Sequence, residues 1–355
     1  EVLDWPVDRP EPSAWEAERA RRRFGAWPAS PLCPQLGAAY SVIWEEDAST
    51  LQVATNRQQH DAKSATLLAH VLAGAGVPLE GTFINIGAGD CRGTAYSWDP
   101  LYQLLFESRW GKDFAGVSID ADAEALLACA GLVASSPEAP RQLLPLRAEV
   151  DPGSVRELLL RRAAPMFPWL REAASAPAAR ALLDFLVVDI DSWDCAVARE
   201  VLQLTRAKIV YLEVAYQVPP PFRFAREHSP VASAWRSKYS DSRYIAAVGC
   251  SLSYATWMMG DLGYYLLFMH EADAVFVAKE FASVFEDAFG MRLPQDELAC
   301  YQQSLLWVHD AIPPEYIRDW FFSQSPEDML RSVLGNLSAV SAIEGLSNVP
   351  FTLTV

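Results

Sequence analysis

Little in this sequence points to metal or hydrolytic chemistry. Its six cysteines, Cys33, Cys91, Cys129, Cys195, Cys250 and Cys300, form no C-x-x-C pair, and the five histidines stand at no ligand spacing from them. Free thiols in a reducing compartment, cytoplasmic or organellar, are the simplest expectation, and no metal site is expected. No Ser, His and Asp follow an order that suggests a catalytic triad, so hydrolase chemistry has no support. Long apolar runs are missing as well, because the longest candidates are broken by charges or prolines; a soluble chain with no membrane span is expected. Positive charge is scarce: 29 Lys and Arg against 45 Asp and Glu give a formal charge of −16, which opposes a phosphate backbone and removes nucleic acid from the expected partners. The one basic cluster, Arg19, Arg21, Arg22 and Arg23, follows Glu16 and Glu18 and reads as a solvated helix face. The chain starts at Glu1 rather than Met, which fits either a leader removed in maturation or a trimmed chain.

What is present is ample for a large core, since 51% of the 355 residues are hydrophobic. Prolines in "WPVDRPEPSAW" and "AWPASPLCP" interrupt regular structure near the start, so residues 1–59 read as an extended arm with a short helix at about 14–24. Trp5, Trp15 and Trp27 in that arm read as anchors onto a protein surface. Residues 60–280 form the expected core. Residues 281–355 read as a helical extension ending in the β-prone tail "PFTLTV".

Within the core, Ala65, Leu67, Leu68, Val71 and Leu72 recur at helical spacing over residues 61–75. Strand-like and helix-like segments then alternate. "FINI" leads into Gly87, Ala88, Gly89 and Asp90; "FAGVSID" (114–120), "RQLLPLRAE" (141–149), "LLDFLVVDID" (182–191) and "AKIVYLEV" (207–214) supply four more strands, with helices at 121–130 and 154–162. A helix capped by Ser251 and stopped at Gly260 or Gly263 precedes a hairpin of strands 264–269 and 274–278. An antiparallel hairpin closing an otherwise parallel sheet predicts an α/β fold of Rossmann type, the seven-stranded methyltransferase sheet.

Acidic residues mark the strand ends: Asp90 after the first, Asp120 closing the second, Asp189 and Asp191 closing the fourth. Ligands of doubly wound sheets sit outside the carboxyl ends of the strands, so these residues should converge on one crevice. Asp120 reads either as an acceptor for ribose hydroxyls or as the cap of the helix that follows it. Asp189 and Asp191 alternate along a strand end, so at most one should face a ligand. Glu213 reads as paired with a neighbouring basic residue or as a general base. His228 follows "QVPPPFRFARE" in a loop able to reach over the site, whereas His270 reads as structural.

The segments "GTFINIGAGD", "GVSIDAD", "LLDFLVVDIDSWD", "AKIVYLEVAYQVPPP" and "GCSLSYATWMMGDLGYYLLFMHEADAVFVAKE" resemble class I S-adenosylmethionine-dependent methyltransferases, and among them the FkbM-related members. They occur in that family's order over about residues 60 to 280. The resemblance implies S-adenosylmethionine as cofactor and a small-molecule methyl acceptor. It assigns Gly87, Gly89 and Asp90 to the methionine side of the cofactor, Asp120 with Asp122 to the ribose, and Asp189 to the floor of the active site. Proton removal from the acceptor would fall to Asp189, Glu213 or His228. The chain departs from the family at Asn85, where an acid is usual, at Cys91 and Ser192, where glycines are usual, and at Val214 and Ala215. These departures fall on ligand-facing loops while the strands keep the pattern, as in a retained fold with a relaxed site. A rival expectation is therefore a non-catalytic, methyltransferase-like subunit whose terminal extensions wrap a partner in a larger assembly. On that expectation, Cys91 blocks the space above Gly87.

Overall fold

The structure, a computed structural model, describes residues 58–94, 97–175, 180–215, 218–238, 249–270, 272–308, 334 and 351–354. The expected arm helix at 14–24 and its tryptophans lie outside these residues, as does most of the chain beyond residue 308.

The first helix, α1 (Gln58–Gly74), buries the expected stripe of Ala65, Leu67, Leu68, Val71 and Leu72. Its Ser64 hydroxyl shares a buried 2.7 Å hydrogen bond with the Tyr211 phenol, which fixes the helix over the sheet. The chain then forms β1 (Thr82–Ile86), a small hairpin of β2 (Gly93–Thr94) and β3 (Ser97–Trp98), β4 (Ala115–Asp120), α2 (Ala123–Ser135) and β5 (Gln142–Arg147). After β5, α3 (Val155–Leu158) runs into a π-helical turn at Leu159–Ala163, followed by α4 (Pro168–Ser175). Next come β6 (Ala181–Val188), α5 (Asp194–Leu204), β7 (Thr205–Glu213), β8 (Arg223–Arg226) and α6 (Pro230–Lys238). The core ends with α7 (Leu252–Asp261), β9 (Tyr264–His270) and β10 (Asp273–Ala278). Beyond it lie α8 (Ala282–Phe289), α9 (Glu297–Val308) and β11 (Phe351–Thr354).

Seven strands make one sheet in the order β5-β4-β1-β6-β7-β10-β9. β4, β1, β6 and β7 pair in parallel, as does β5 with β4, and β10 runs antiparallel to both β7 and β9. This is the class I methyltransferase sheet that the terminal hairpin predicts. Its central strands are buried almost throughout, as parallel strands covered on both faces require: in β6 only Leu182 is exposed, and in β7 every residue but Arg206 is buried. Ser251 caps α7 by accepting from the Tyr254 N–H, as expected.

Strand order reverses between β1 and β6. The connection leaving β1 heads toward β4 and that leaving β6 toward β7, so the loops at these two carboxyl ends part and open a crevice. Two features lie beyond the sequence reading. β11 pairs antiparallel with β8, so these C-terminal residues return to their own core, where Phe351 packs on Phe224. The expected free thiols are corrected at four positions, because Cys91 is bonded to Cys129 and Cys195 to Cys250. Cys300 is free and buried. A reducing compartment does not follow from this pattern.

Candidate functional site

β1 delivers the chain into the crevice through Gly87, with φ of 88°, and Gly89, with φ of 52°. Only glycine takes such conformations at low cost, and at Gly87 an added Cβ would collide with the Asp189 backbone carbonyl. Gly87 is thus the point where the β1 and β6 loops touch. Its N–H and that of Ala88 both donate to the Ile119 carbonyl, at 2.8 and 3.2 Å, drawing the loop over β4. The Gly89 N–H donates to Asp120 Oδ2 at 2.8 Å, and the Asp122 N–H donates to Asp120 Oδ1 at 2.7 Å. Each carboxylate oxygen accepts two hydrogen bonds, so Asp120 retains acceptor capacity beyond those it uses to set the loop. The helix cap is Asp122, not Asp120: Asp122 Oδ1 accepts from the Glu124 and Ala125 N–H groups at the start of α2. Asp90 Oδ1 accepts the Arg92 N–H at 2.9 Å at the rim.

Cys91 adopts the left-handed conformation expected of a glycine, with φ of 58°, and is only 2% exposed. Its side chain is bonded to Cys129 on α2, which ties the loop to that helix.

On the other side of the crevice, β6 ends at Val188, so the alternation of a strand does not govern Asp189 and Asp191 as expected. The Asp189 N–H donates to the Ile86 carbonyl at 2.9 Å, and Asp191 carries a left-handed φ of 54°. Two buried acids hold this turn. Glu213 Oε2 accepts the Asp191 N–H at 2.9 Å, while Asp194 accepts the Ile190 N–H at 2.8 Å on one oxygen and the Ser192 N–H at 2.9 Å on the other. Asp194, 1% exposed, closes the D-x-D-x-x-D run, so a signal for it was present in the sequence although no role was given to it. Burial, with Asp189 and Asp191 nearby, pushes its carboxyl up to about 8. Burial and then the charges of Asp189, Asp194, Asp191 and Asp273 push Glu213 well above the ordinary carboxylate range. The expected basic partner of Glu213 is corrected, since among the described residues no Lys or Arg pairs with it.

A third buried acid, Asp99, was not anticipated. It sits 5% exposed, accepts the Leu101 N–H at 2.8 Å on Oδ1 and accepts the Asn85 side-chain amide at 3.0 Å on Oδ2. Burial, opposed by those two hydrogen bonds and joined by the charges of Asp189 and Asp90, pushes it up to about 7.

The structure therefore brings Gly87, Gly89, Asp90, Asp120, Asp189 and Glu213 to one end of the sheet, adds Asp99 and Asp194, and gives Asp122 a capping role. His228 is exposed, its ring 5.1 Å from and edge-on to Trp193, the residue before Asp194, with Nε2 3.0 Å from the Ser233 hydroxyl. Among the described residues, no three His, Cys, Asp or Glu side chains group as a metal site, and no helix is long and apolar enough to cross a membrane. Among the described residues, the crevice offers acceptors and carboxyls rather than cations, which suits a ligand that carries positive charge and hydroxyl donors.

No family model matches the chain, and no curated protein matches it. Solved structures similar to it include magnesium protoporphyrin IX methyltransferase from Synechocystis PCC 6803 with bound S-adenosylhomocysteine, at 10% identity over 68% of this chain and 94% of that one, TM-score 0.31. A TehB-like S-adenosylmethionine-dependent methyltransferase from Corynebacterium glutamicum matches at 12% identity over 68% of this chain and 97% of that one, TM-score 0.25. The cyclase SpnF matches at 10% identity over 86% of this chain and 84% of that one, TM-score 0.30. The fold is defined by the strand order itself rather than by these likenesses, and a fold does not fix a reaction.

Proposed function

We propose that this chain is an S-adenosylmethionine-dependent methyltransferase acting on a small-molecule acceptor. The observation that carries the reading is the pairing, across one crevice, of a glycine loop tied to Asp120 with buried carboxyls that, among the described residues, have no cationic side chain as partner. S-adenosylmethionine, when bound, supplies an electrophilic methyl group on a sulfonium cation. It lacks phosphates, so a crevice of acceptors suits it better than it suits a dinucleotide. In this reading Gly87, Gly89 and Asp90 face the methionine side, and Asp120 takes the ribose hydroxyls on its spare lone pairs. Asp189 forms the floor. Glu213 or His228 accepts the acceptor's proton: a carboxyl raised by burial is a stronger base once ionised, and the His228 ring stands edge-on to Trp193, the residue before Asp194. The departures at Asn85 and Cys91 do not weaken the reading, because one partners Asp99 and the other is bonded beneath the loop.

The alternative of a non-catalytic subunit with wrapping arms gains nothing from residues 351–354, which pair with β8 of their own chain. Thermal melting with millimolar S-adenosylmethionine or S-adenosylhomocysteine separates the two readings. A ligand at about 100 times its dissociation constant adds roughly 2.7 kcal/mol, and a clear upward shift in Tm is expected. No shift with either compound at millimolar concentration overturns the methyltransferase reading.

A further inference from the structure

Each disulfide begins at the residue after an acid of the crevice: Cys91 follows Asp90 on the β1 side, and Cys195 follows Asp194 on the β6 side. Their backbones are held differently. Cys195 lies within α5, and its partner Cys250 is fixed without the bond, because its carbonyl accepts the Ala215 N–H at 2.7 Å and it bridges to Ala225 in β8. Cys91 has less support. The Ile119 carbonyl holds Gly87 and Ala88, and Asp120 holds Gly89; beyond that point, among the described residues, the bonds stay inside the loop, from Cys91 N–H to the Ala88 carbonyl at 2.9 Å and from Arg92 N–H to Asp90. The bond to Cys129 is therefore what ties the end of the glycine loop to α2. It also holds a residue with a side chain at φ of 58°, a conformation that costs every residue more than glycine.

We propose that the Cys91–Cys129 bond is a redox gate on the cofactor loop: closed, it holds the glycines and Asp90 in the binding geometry, and opened, it lets the loop relax and the affinity fall. The inference rests on the function proposed above. Opening takes two electrons and two protons from an external dithiol. One thiolate attacks a sulfur and breaks the S–S bond, and the second resolves the mixed disulfide, so that Cys91 and Cys129 end as thiols and the dithiol ends as a disulfide. Cys91 then leaves the left-handed region for ordinary backbone, and Asp90, its chain neighbour, turns with it. The new thiol has a partner in place, since the Ser118 hydroxyl lies 3.7 Å from Cys91 Sγ. Cys91 is 2% exposed and Cys129 fully buried, so the dithiol reaches the bond through a loop that has swung open, and a ligand that keeps the loop shut protects the bond.

The test is calorimetric titration with S-adenosylhomocysteine before and after dithiothreitol, with thiols counted by alkylation and mass spectrometry. Cys195→Ser/Cys250→Ser keeps the bond in question, Cys91→Ala/Cys129→Ala lacks it, and Cys91→Gly/Cys129→Ala lacks it but places glycine where φ is 58°. Reduction is expected to weaken binding by wild type and by Cys195→Ser/Cys250→Ser about tenfold. Cys91→Ala/Cys129→Ala should bind about as weakly as reduced wild type and ignore dithiothreitol, whereas Cys91→Gly/Cys129→Ala should regain much of the loss, a rescue that a general loss of stability would not give. Saturating S-adenosylhomocysteine should also slow the appearance of the Cys91 and Cys129 thiols. The gate is overturned if dithiothreitol leaves the bond closed, if reduction changes the affinity by less than about twofold, or if glycine at position 91 rescues nothing. Where Cys195→Ser/Cys250→Ser does not fold, wild type against the two variants at position 91 decides. Oxidised wild type that binds no S-adenosylhomocysteine overturns the proposed function and this inference together, while equal binding by the oxidised and reduced chains removes the gate alone.

Discussion

The two ends of the same sheet treat buried acids in opposite ways. At the amino end, Asp184 on β6 is fully buried and meets the ammonium group of Lys208 on β7 at 2.6 Å; it also accepts the N–H groups of Glu80, Gly81 and Thr82. Lys208 donates as well to the Pro78 carbonyl, so this ion pair staples the approach to β1 onto the middle of the sheet. At the carboxyl end, Asp99, Asp194 and Glu213 are also buried, yet among the described residues their hydrogen bonds come from N–H groups without a full charge, and the charges that raise them are those of other acids. A charge buried with its counterion is a permanent structural joint. Acids buried without one keep their protons until positive charge is brought from outside, which is how a binding site differs from a joint made of the same residue type.

Removing the counterion at the amino end should break the comparison most strongly. Lys208→Met leaves Asp184 buried and unpaired, and loss of one partner from a buried pair costs about 3–5 kcal/mol. Urea unfolding of Lys208→Met against wild type measures this. The double variant Lys208→Met/Asp184→Asn should regain a large part of the loss. A cost below about 1 kcal/mol for the single variant means that Lys208 is not the joint its geometry indicates.

Without ligand, the carboxyl end should make stability depend on pH with a definite sign. Folded Asp99 and Asp194 titrate near 7 and 8, well above their ordinary range, so between about pH 4 and 8 the folded protein holds protons that the unfolded chain has released. Stability then falls as pH rises through this window. Asp99→Asn and Asp194→Asn should each flatten the slope, since an amide has no proton to lose. Denaturation midpoints at pH 5.5, 7 and 8.5 check this; a midpoint that climbs across the window contradicts the account of the buried acids.

The amino-acid pattern carried most of the sheet and part of the site, for a common reason. Apolar runs such as "LLDFLVV" and the Gly87 turn are local signals, and the residues next to them, Asp120 and Asp189, inherit their place from the strand they follow. The hairpin of β9 and β10 was legible because its two strands are close in sequence. The pairing of β11 with β8 was not, because it joins residues over a hundred positions apart and depends on packing such as Phe351 against Phe224. The disulfides escaped notice for the same reason, their cysteines being 38 and 55 residues apart. Asp99 belongs to no motif at all. It becomes significant only when the fold buries it against Asn85, and burial of an acid is a property of tertiary structure. Asn85 itself was legible as a departure, but its meaning lay in a partner that no local window contains.

The smallest expected effect sharpens the contrast inside the carboxyl end, where Asp120 and Asp122 stand two residues apart with different duties. Asp122 is exposed and caps α2 through two backbone N–H groups, a structural task that a ligand does not share. Replacing it with alanine should cost about 1 kcal/mol of stability, the usual loss for a helix cap, and leave the affinity for S-adenosylhomocysteine nearly unchanged. Asp120 also holds the Gly89 and Asp122 N–H groups, but its spare lone pairs face the crevice in the proposed reading, so Asp120→Asn should weaken S-adenosylhomocysteine more than it lowers the melting temperature. Paired melting curves and titrations on the two variants check the assignment. If Asp122→Ala weakens the ligand as much as Asp120→Asn does, position 122 is part of the ribose site after all, and the division of the carboxyl end into a structural acid and a binding acid falls at that pair.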